Sequence, residues 1–384
     1  MAAALPFLGA SLQAQTNDHL FRSWQWPPEV HSARQAGWAG AGVASLDEAT
    51  AGELNPALLA SLTKNQAYAG GLAYGAGQTG VGDHLDSRVA LGTCGVAARV
   101  SRRFVLSLEV SEARALRLEL APVRLPDGSA DAGWLRVTGF DLRGAVAFRL
   151  TPRLHVGARM VSSRLSLDAD ARHDPATGPS DLTVQASGTA TNLGAGLGLA
   201  YQASGWLTLA VSSDTGMGWR FSRRAQNPAL GVELDAGSPF EIRRPSLLRA
   251  GVSVAPSRRL RLLAQLDLVR WSEIPAGLVI AQGPRARDEY RLADALEPRL
   301  GAEASVPLRR TSLQVRGGVH VQGAGQLRFE GPDATETAVF QGAKTRLVAS
   351  LGASLITERG WRLDVAGSVG GERPAFLVGI GLGF

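Results

Sequence analysis

Three carboxylates lie close together in an otherwise small and apolar stretch, residues 40–60 (GAGVASLDEATAGELNPALLA). They are Asp47, Glu48 and Glu53, and an Asn-Pro-Ala turn follows them at 55–57. The stretch is too polar and too often broken by Gly and Pro to span a membrane, yet too apolar for a solvated linker. Carboxylates in such a setting can form ion pairs with arginines of a neighbouring surface, so we expect anchoring rather than catalysis.

The other residues capable of chemistry are too scattered to form a catalytic or metal site. The six histidines show neither i,i+4 pairing nor a carboxylate at metal-site spacing, and Cys94 is the only cysteine. No set of His, Ser and acidic residues has a spacing that would bring it together. We therefore expect no enzyme activity, no catalytic residues, no metal and no cofactor.

The positive charge of the chain is almost entirely arginine. The 384 residues carry a formal net charge of +6, and the only lysines are Lys64 and Lys344. A nucleic-acid footprint would cluster on one face, whereas these arginines occur singly at alternating positions of strand-like segments. The pattern argues against nucleic acid as a partner.

The first residues have the character of an export signal. Residues 1–14 hold a short apolar run and end at Ala14, a small residue suited to precede a cleavage point, but basic residues at the start are missing. No segment approaches the roughly 18 consecutive apolar residues of a transmembrane helix. We expect a partial signal peptide over 1–14 and an exported protein without a membrane helix.

From residue 66 onward apolar and polar residues alternate. In 259–271 (RLRLLAQLDLVRW), for example, leucines at even positions oppose Arg261, Gln265 and Asp267. Such alternation predicts strands with one apolar and one polar face. The fourteen predicted strands are 66–75, 88–100, 103–120, 134–150, 153–169, 182–201, 205–221, 240–255, 259–271, 296–306, 310–322, 343–357, 360–370 and 374–384.

Short and long connections alternate between these strands, which is typical of a transmembrane β-barrel. Closure removes the unpaired edges that lipid could not satisfy. We therefore predict an all-β fold, a 14-stranded antiparallel transmembrane β-barrel over 66–384 with its polar face towards the lumen. The last strand ends at Phe384 and resembles the insertion signal of bacterial outer-membrane proteins. Interfacial belts are expected from the tryptophans beside turns and loops, Trp134, Trp206, Trp219, Trp271 and Trp361.

Residues 15–65 precede the first strand and lack alternation. A barrel of fourteen strands leaves a lumen wider than its wall side chains can fill, so we predict that this segment folds inside as a plug, or hatch. A disordered periplasmic leader is the alternative, although Ala, Leu, Val and Trp are abundant for a disordered segment. The three carboxylates would then pair with lumenal arginines such as Arg143, Arg149 and Arg316.

The stretch SARQAGWAGAGVASLDEATAGELNPALLASL, residues 32–62, resembles the hatch of the long-chain fatty-acid transporter family of outer-membrane barrels, the FadL type. Residues 242–275 and 297–319 resemble two of its strand pairs, so the likeness covers nearly the whole chain in order. It places Gly40 and Gly42 in the glycine run of the hatch and Asn55, Pro56 and Ala57 in its turn.

The resemblance implies a monomeric barrel in the outer membrane of a Gram-negative bacterium, in contact with outer-membrane lipid. Such a barrel carries a hydrophobic molecule, a fatty acid or similar, through an apolar pocket between hatch and wall, with a lateral exit to the bilayer. The third strand is our candidate for that exit because Glu109, Glu112 and Arg114 crowd its middle. The loops predicted at 170–181 and 222–239 are short and polar, which argues against a surface capture site for long-chain fatty acids.

PorV-type shuttle barrels of type IX secretion share the hatch motif and suggest an alternative, a barrel that binds a protein partner. In that case loop 272–295, the longest, would be the binding platform. An apolar closed pocket beside residues 40–60 would favour transport, whereas a polar lumen with an exposed loop platform would favour a protein partner.

Overall fold

The computed structural model describes residues 19–22, 32–45, 47–79, 82–274 and 289–384. The predicted signal peptide at 1–14 lies outside the described residues, as does most of loop 272–295. Fourteen antiparallel strands form one closed barrel, in which each strand pairs with its neighbours in sequence. The last strand pairs back with the first, from Gln66 opposite Gly383 to Tyr74 opposite Ala375, which closes the wall. The predicted barrel is confirmed.

We number the barrel strands β1 to β14. They are β1 Gln66–Tyr74, β2 Arg88–Arg99, β3 Phe104–Arg124, β4 Ala130–Arg149, β5 Leu154–Asp174, β6 Leu182–Gln202, β7 Leu207–Asp214 with Met217–Asn227, β8 Val232–Arg244 with Leu247–Ser257, β9 Leu260–Val269, β10 Ala295–Pro307, β11 Thr311–Gln322, β12 Arg346–Thr357, β13 Trp361–Val369 and β14 Ala375–Gly383. The short strands outside this count are Gly77–Gln78, His84–Leu85, Tyr290–Arg291 and Arg328–Phe329.

Helices in the described residues are few and short. The α-helices are α1 Ala33–Gly37, α2 Ala51–Leu54 and α3 Ala334–Val339, and the 3₁₀ helices are His19–Phe21, Pro56–Ser61 and Trp271–Glu273. Among the residues the structure describes, no helix is long and apolar enough to cross a membrane.

Several strands extend further than their sequence predicts. Segment 222–239, predicted as a loop, is mostly strand, and the chain turns only at 228–231 between β7 and β8. Likewise β3 and β4 continue to a turn at 125–129, and β5 and β6 continue to a turn at 175–181. A hairpin that projects into water needs no apolar face, because its backbone hydrogen bonds alone continue the ladder. The polar residues of these segments therefore did not show where the strands end.

The two faces of the wall follow the alternation. On β4, Leu142 and Val146 point outward and are half exposed, whereas Asp141, Arg143 and Ala145 point inward and are buried. The predicted tryptophan belts are only partly correct. Trp134, Trp206 and Trp361 lie exposed on the outer face, but Trp219 and Trp271 are each 1% exposed and belong to the lumen.

The lumen is filled at two levels. Residues 32–62 occupy the half at the short-turn end, where the wall contributes small side chains such as Ala145, Ala147 and Ala200. The half at the long-loop end holds a large apolar cluster that includes Trp219, Phe240 and Trp271. Buried arginines and carboxylates lie among these groups and connect the wall to the segment inside it.

Candidate functional site

Two capping residues shape the hatch, residues 32–62. The Ser32 hydroxyl accepts a hydrogen bond from Gln35 N–H (3.3 Å) and starts α1. Asn55 Oδ1 accepts from Ala57 N–H (3.0 Å), and Pro56 occupies the first position of the following 3₁₀ helix, where its missing N–H costs nothing. After α1 the chain reverses through Gly40, whose φ of +81° suits glycine.

The Asn55 turn docks against β5 and β6. Asn55 is fully buried, and its Nδ2 donates to Val43 O (3.1 Å) within the hatch and to Leu199 O (3.2 Å) on the wall. The wall approaches closely here because glycine faces the turn, and a Cβ added at Gly157 would lie 2.4 Å from the carbonyl carbon of Pro56. Gly42 is also closely packed, with an added Cβ 2.9 Å from the side chain of Leu54.

The three hatch carboxylates occupy different positions. Glu53 lies 3.7 Å from Arg143 of β4, one of the predicted partners. Glu48 is fully buried and accepts from Ser32 (2.9 Å), from Thr50 (2.6 Å) and from Arg362 of β13. Asp47 pairs with Arg34 inside the hatch. Glu48 and Glu53 are therefore the carboxylates that tie the hatch to the wall.

The electrostatic setting of Asp47 favours its ionised form. The surrounding protein displaces part of the water around this carboxyl, which raises its pKa, but the attraction of Arg34, Arg261 and Arg362 outweighs that effect and holds the pKa below its usual range. Because the Asp47 side chain is 53% exposed, water screens part of this attraction.

The other two predicted arginines do not meet hatch carboxylates. Arg149 donates to the backbone carbonyl of Ala60 (2.8 Å). Arg316 donates to Glu303 of the adjacent strand (2.6 Å), and its guanidinium lies 5.5 Å from the Trp38 ring of the hatch. Both guanidinium groups therefore bind acceptors other than the hatch carboxylates. For Arg149 the acceptor is a backbone carbonyl of the hatch, and for Arg316 it is a carboxylate of the adjacent strand.

Other wall side chains hold the hatch through its backbone. Arg159 donates to the carbonyls of Gly52 and Glu53, Ser212 to Leu54 O (2.7 Å) and Arg299 to Ala39 O (3.0 Å). All of them are inward positions of strands, so the alternation alone could have placed them in the lumen. Their partners are backbone carbonyls, which no residue pattern reveals.

The long-loop half of the lumen is apolar and includes residues 19–22, which belong to the segment 15–65 predicted to fold inside the barrel. The Phe21 ring lies 5.1 Å from that of Phe240 on β8, and Leu20 is fully buried in the same cluster. Arg22 follows and pairs with Asp83 (2.7 Å), with both side chains buried.

Residues of the two longest connections cover this half of the lumen. Tyr290–Arg291 pairs with Arg328–Phe329, and α3 packs beside them. The Tyr290 hydroxyl donates to Glu336 (2.7 Å), and its ring lies 5.0 Å from that of Phe329. The described part of these loops therefore folds back onto the lumenal cluster.

A pocket of about 160 Å³ lies between α1 and the wall. Its hatch side is formed by Ala36 and Ala39, and most of its wall side is apolar. The apolar wall residues are Leu72, Tyr74, Leu85, Leu116, Val348, Ala375 and Leu377. The polar residues at its margin are Arg299, His320, Gln322, Ser368, Glu372 and Arg373.

The ladder between β2 and β3 is interrupted beside this pocket. Backbone pairing ends at Thr93 opposite Ser111 and returns only through the short strand His84–Leu85, which pairs with residues 118–119. Between these points Glu112 spans the two strands, because its carboxylate accepts from Leu91 N–H (3.0 Å) and from Arg88 (2.5 Å). The register of β3 against β4 also shifts between Glu112 and Arg114, which marks a β-bulge.

The residues of the predicted break therefore differ in role. Glu109 lies below it, in the paired part of the ladder, and binds Arg143 (2.9 Å). Glu112 lies in the interruption itself. The described residues hold no group of three or more His, Cys, Asp or Glu side chains suited to a metal ion.

Comparison with known proteins identifies the fold. No family model and no curated protein matches this sequence. Among solved structures, a FadL homologue of Pseudomonas aeruginosa matches with a TM-score of 0.70 at 15% identity, over 94% of this chain and 100% of that chain. The toluene transporter TbuX of Ralstonia pickettii matches at 0.67 and 16%, over 93% and 99%. The toluene transporter TodX of P. putida matches at 0.64 and 13%, over 93% and 99%.

These similarities extend over nearly the whole of each chain, and at such low identity they establish the fold. The fold is that of FadL-type barrels, as the resemblance of residues 32–62 predicted.

Proposed function

We propose that this chain is an outer-membrane transport protein that admits small hydrophobic compounds through its lumen. The observation that carries the proposal is the largely apolar pocket between the hatch residues Ala36 and Ala39 and the wall. Concave apolar sites of this kind are where proteins bind small hydrophobic ligands. The outward-facing apolar side chains, with Trp134, Trp206 and Trp361 exposed on the same face, support a location in the outer membrane of a Gram-negative bacterium.

The size of the pocket favours a compound with a single aromatic ring. A dry, engineered cavity of about 150 Å³ holds benzene, and this pocket measures about 160 Å³. A long acyl chain would have to extend well beyond it. Two of the similar solved structures are toluene transporters, which supports the same class of ligand.

The exit we propose is lateral, through the interruption between β2 and β3. Leu85 and Leu116 line the pocket and belong to the strands that border the interruption. A compound leaving there would pass from an apolar pocket to the apolar bilayer, and the charged groups in its path would be Glu112 and Arg88 of the interruption rather than those around the hatch.

The alternative hypothesis from the sequence is that the barrel binds a protein partner, as PorV-type barrels do. The position predicted for its platform, 272–295, lies mostly outside the described residues. The pocket lies beside α1, just before the stretch 40–60 where an apolar pocket was expected, and its largely apolar lining leads us to favour transport.

The test is to fill the pocket. We expect Ala36→Trp to remove most of the barrel-dependent uptake of radiolabelled toluene by intact cells, because an indole would occupy the pocket volume. Ala375→Trp fills the pocket from β14 and should reduce uptake in the same way. It serves as a second variant in case Ala36→Trp disturbs the folding of the hatch. The matched control is Ala349→Trp, an alanine on the outer face. Equal uptake by all three variants, at equal amounts of folded barrel, would contradict the proposal.

A further inference from the structure

One side of the pocket is polar, although the rest is apolar. His320 and Gln322 of β11 and Ser368 of β13 face the pocket, opposite the apolar side chains of β1 and β3. Nδ1 of His320 is buried and has no hydrogen-bond partner among the described residues. A buried polar atom is costly unless it forms a hydrogen bond, so this side of the pocket is suited to a ligand with a polar substituent.

The two arginines at the margin already have partners. Arg299 donates to Asp267 (2.7 Å), to Glu297 (3.1 Å) and to the backbone of the hatch. The Arg373 guanidinium lies 3.6 Å from the Tyr74 ring centroid and donates to Asp86 O (3.4 Å). A carboxylate ligand would need an arginine directed towards it, so the arrangement favours a neutral polar group.

We infer that the pocket prefers monoaromatic compounds that carry one hydroxyl group, the phenol class, over the corresponding hydrocarbons. The ring packs against Leu72, Leu116 and Leu377, and the hydroxyl bonds to the imidazole of His320, which lines the pocket. A hydroxyl both donates and accepts, so it can pair with an imidazole nitrogen in either tautomer. This inference rests on the proposed function, because it assumes that the pocket is the ligand site.

The preference can be large for a small chemical difference. A site built to hydrogen-bond a hydroxyl rejects the analogue that lacks it, because its own polar group then stays without a partner. Phenol and toluene form a matched pair, since a hydroxyl replaces a methyl group of similar size. We expect removal of the imidazole to reduce phenol affinity about tenfold, the effect of one lost hydrogen bond, with little effect on toluene.

The experiment is equilibrium dialysis of the full chain in detergent against radiolabelled phenol, toluene and benzoate, corrected for partition into empty micelles. The variants are Ala36→Trp, His320→Leu and the conservative His320→Gln, which retains hydrogen-bonding atoms. His155→Leu is the control, because His155 is a partly buried histidine of β5 that does not line the pocket. We expect His320→Leu to weaken the binding of phenol but not of toluene. His320→Gln should retain part of the affinity for phenol, and His155→Leu should bind both compounds as the unaltered chain does.

Three outcomes would overturn the inference: equal weakening of both ligands by His320→Leu, no effect on either, or tighter binding of benzoate than of phenol. The same measurements distinguish failure of this inference from failure of the proposed function. If Ala36→Trp abolishes toluene binding while His320→Leu has no effect on phenol, the pocket stands and the hydroxyl preference falls. If Ala36→Trp leaves toluene binding intact, the assignment of the pocket itself fails.

Discussion

Asn55 is the residue on which the hatch turn depends most. Its amide joins three chain segments, since Oδ1 caps the 3₁₀ helix at Ala57 while Nδ2 donates to Val43 O and Leu199 O. Alanine at this position would leave the Ala57 N–H and the carbonyls of Val43 and Leu199 without these bonds. Wall and hatch meet here without intervening side chains, so few neighbouring atoms could replace the lost partner.

We expect Asn55→Ala to destabilise the hatch by about 2 kcal/mol, the cost of a lost cap together with buried groups that lose a partner. Limited proteolysis should then cleave within residues 32–62 faster than in the unaltered chain. The control is Asn227→Ala, because Asn227 caps an exposed turn by accepting from Leu230 N–H (2.9 Å). Equal cleavage of the two variants within the hatch would show that Asn55 does not hold it.

At the scale of elements, the interruption between β2 and β3 is the feature with a testable consequence. Glu112 replaces the missing backbone pairs with its carboxylate, so we expect Glu112→Ala to open the wall locally. Loss of a charge-assisted hydrogen bond should raise amide hydrogen exchange at Leu91 about tenfold or more. If opening of this interruption limits passage, barrel-dependent toluene uptake should rise as well.

Mass spectrometry of exchanged peptides covering β2 would measure the effect. The matched control is Glu109→Ala, because Glu109 also points into the lumen but lies where β2 and β3 are paired, opposite Gly95. Increased exchange around Leu91 in Glu109→Ala but not in Glu112→Ala would contradict the role we give to Glu112.

Strand interruptions also explain where sequence reasoning succeeded and where it failed. Alternation predicted the barrel and the inward faces, because period two directly reports the side to which each residue points. Trp219 was assigned to the outer belt because it lies beside a predicted loop, but β7 is interrupted at 215–216 and this changes which positions face the lumen. Ala210 and Ser212 point inward before the interruption and Trp219 after it, so the inward face passes from even to odd positions.

Pairings across the lumen were beyond prediction for a different reason. Glu48 binds Arg362, 314 positions later in the chain, and that meeting depends on strand registers and on how the hatch folds. The pocket likewise combines residues of α1, β1, β3 and the last strands of the barrel. The sequence predicted a pocket between hatch and wall from family resemblance, but its polar side depends on which inward residues converge in three dimensions.

At the scale of the whole molecule, two routes lead out of the pocket. A compound could pass towards the short-turn end if the hatch moves, or sideways through the wall if the hatch stays. Wall side chains hold the hatch at many points along its length, including Arg159 at α2 and Arg299 at Ala39, so displacement would break many buried contacts at once. The lateral route leaves these contacts in place.

Disulfide locks distinguish the two routes. A Cβ added at Gly52 would lie 3.6 Å from Ala145 Cβ, and one added at Gly301 would lie 3.5 Å from Ala41 Cβ. Both distances suit a disulfide, for which Cβ atoms are about 3.5–4.5 Å apart. Gly52→Cys with Ala145→Cys and Ala41→Cys with Gly301→Cys, each in a Cys94→Ser background, would fix the hatch to the wall at separate points.

We expect oxidised barrels with either lock to take up toluene at nearly the rate of their reduced forms, because the lateral route leaves the hatch in place. Gel mobility after proteolysis would report the fraction locked, and the Cys94→Ser chain serves as the control for oxidation itself. Uptake that stops on locking and returns with reductant would mean that the hatch must move. The compound would then pass down the lumen, and the interruption at Glu112 would be a structural feature of the wall rather than an exit.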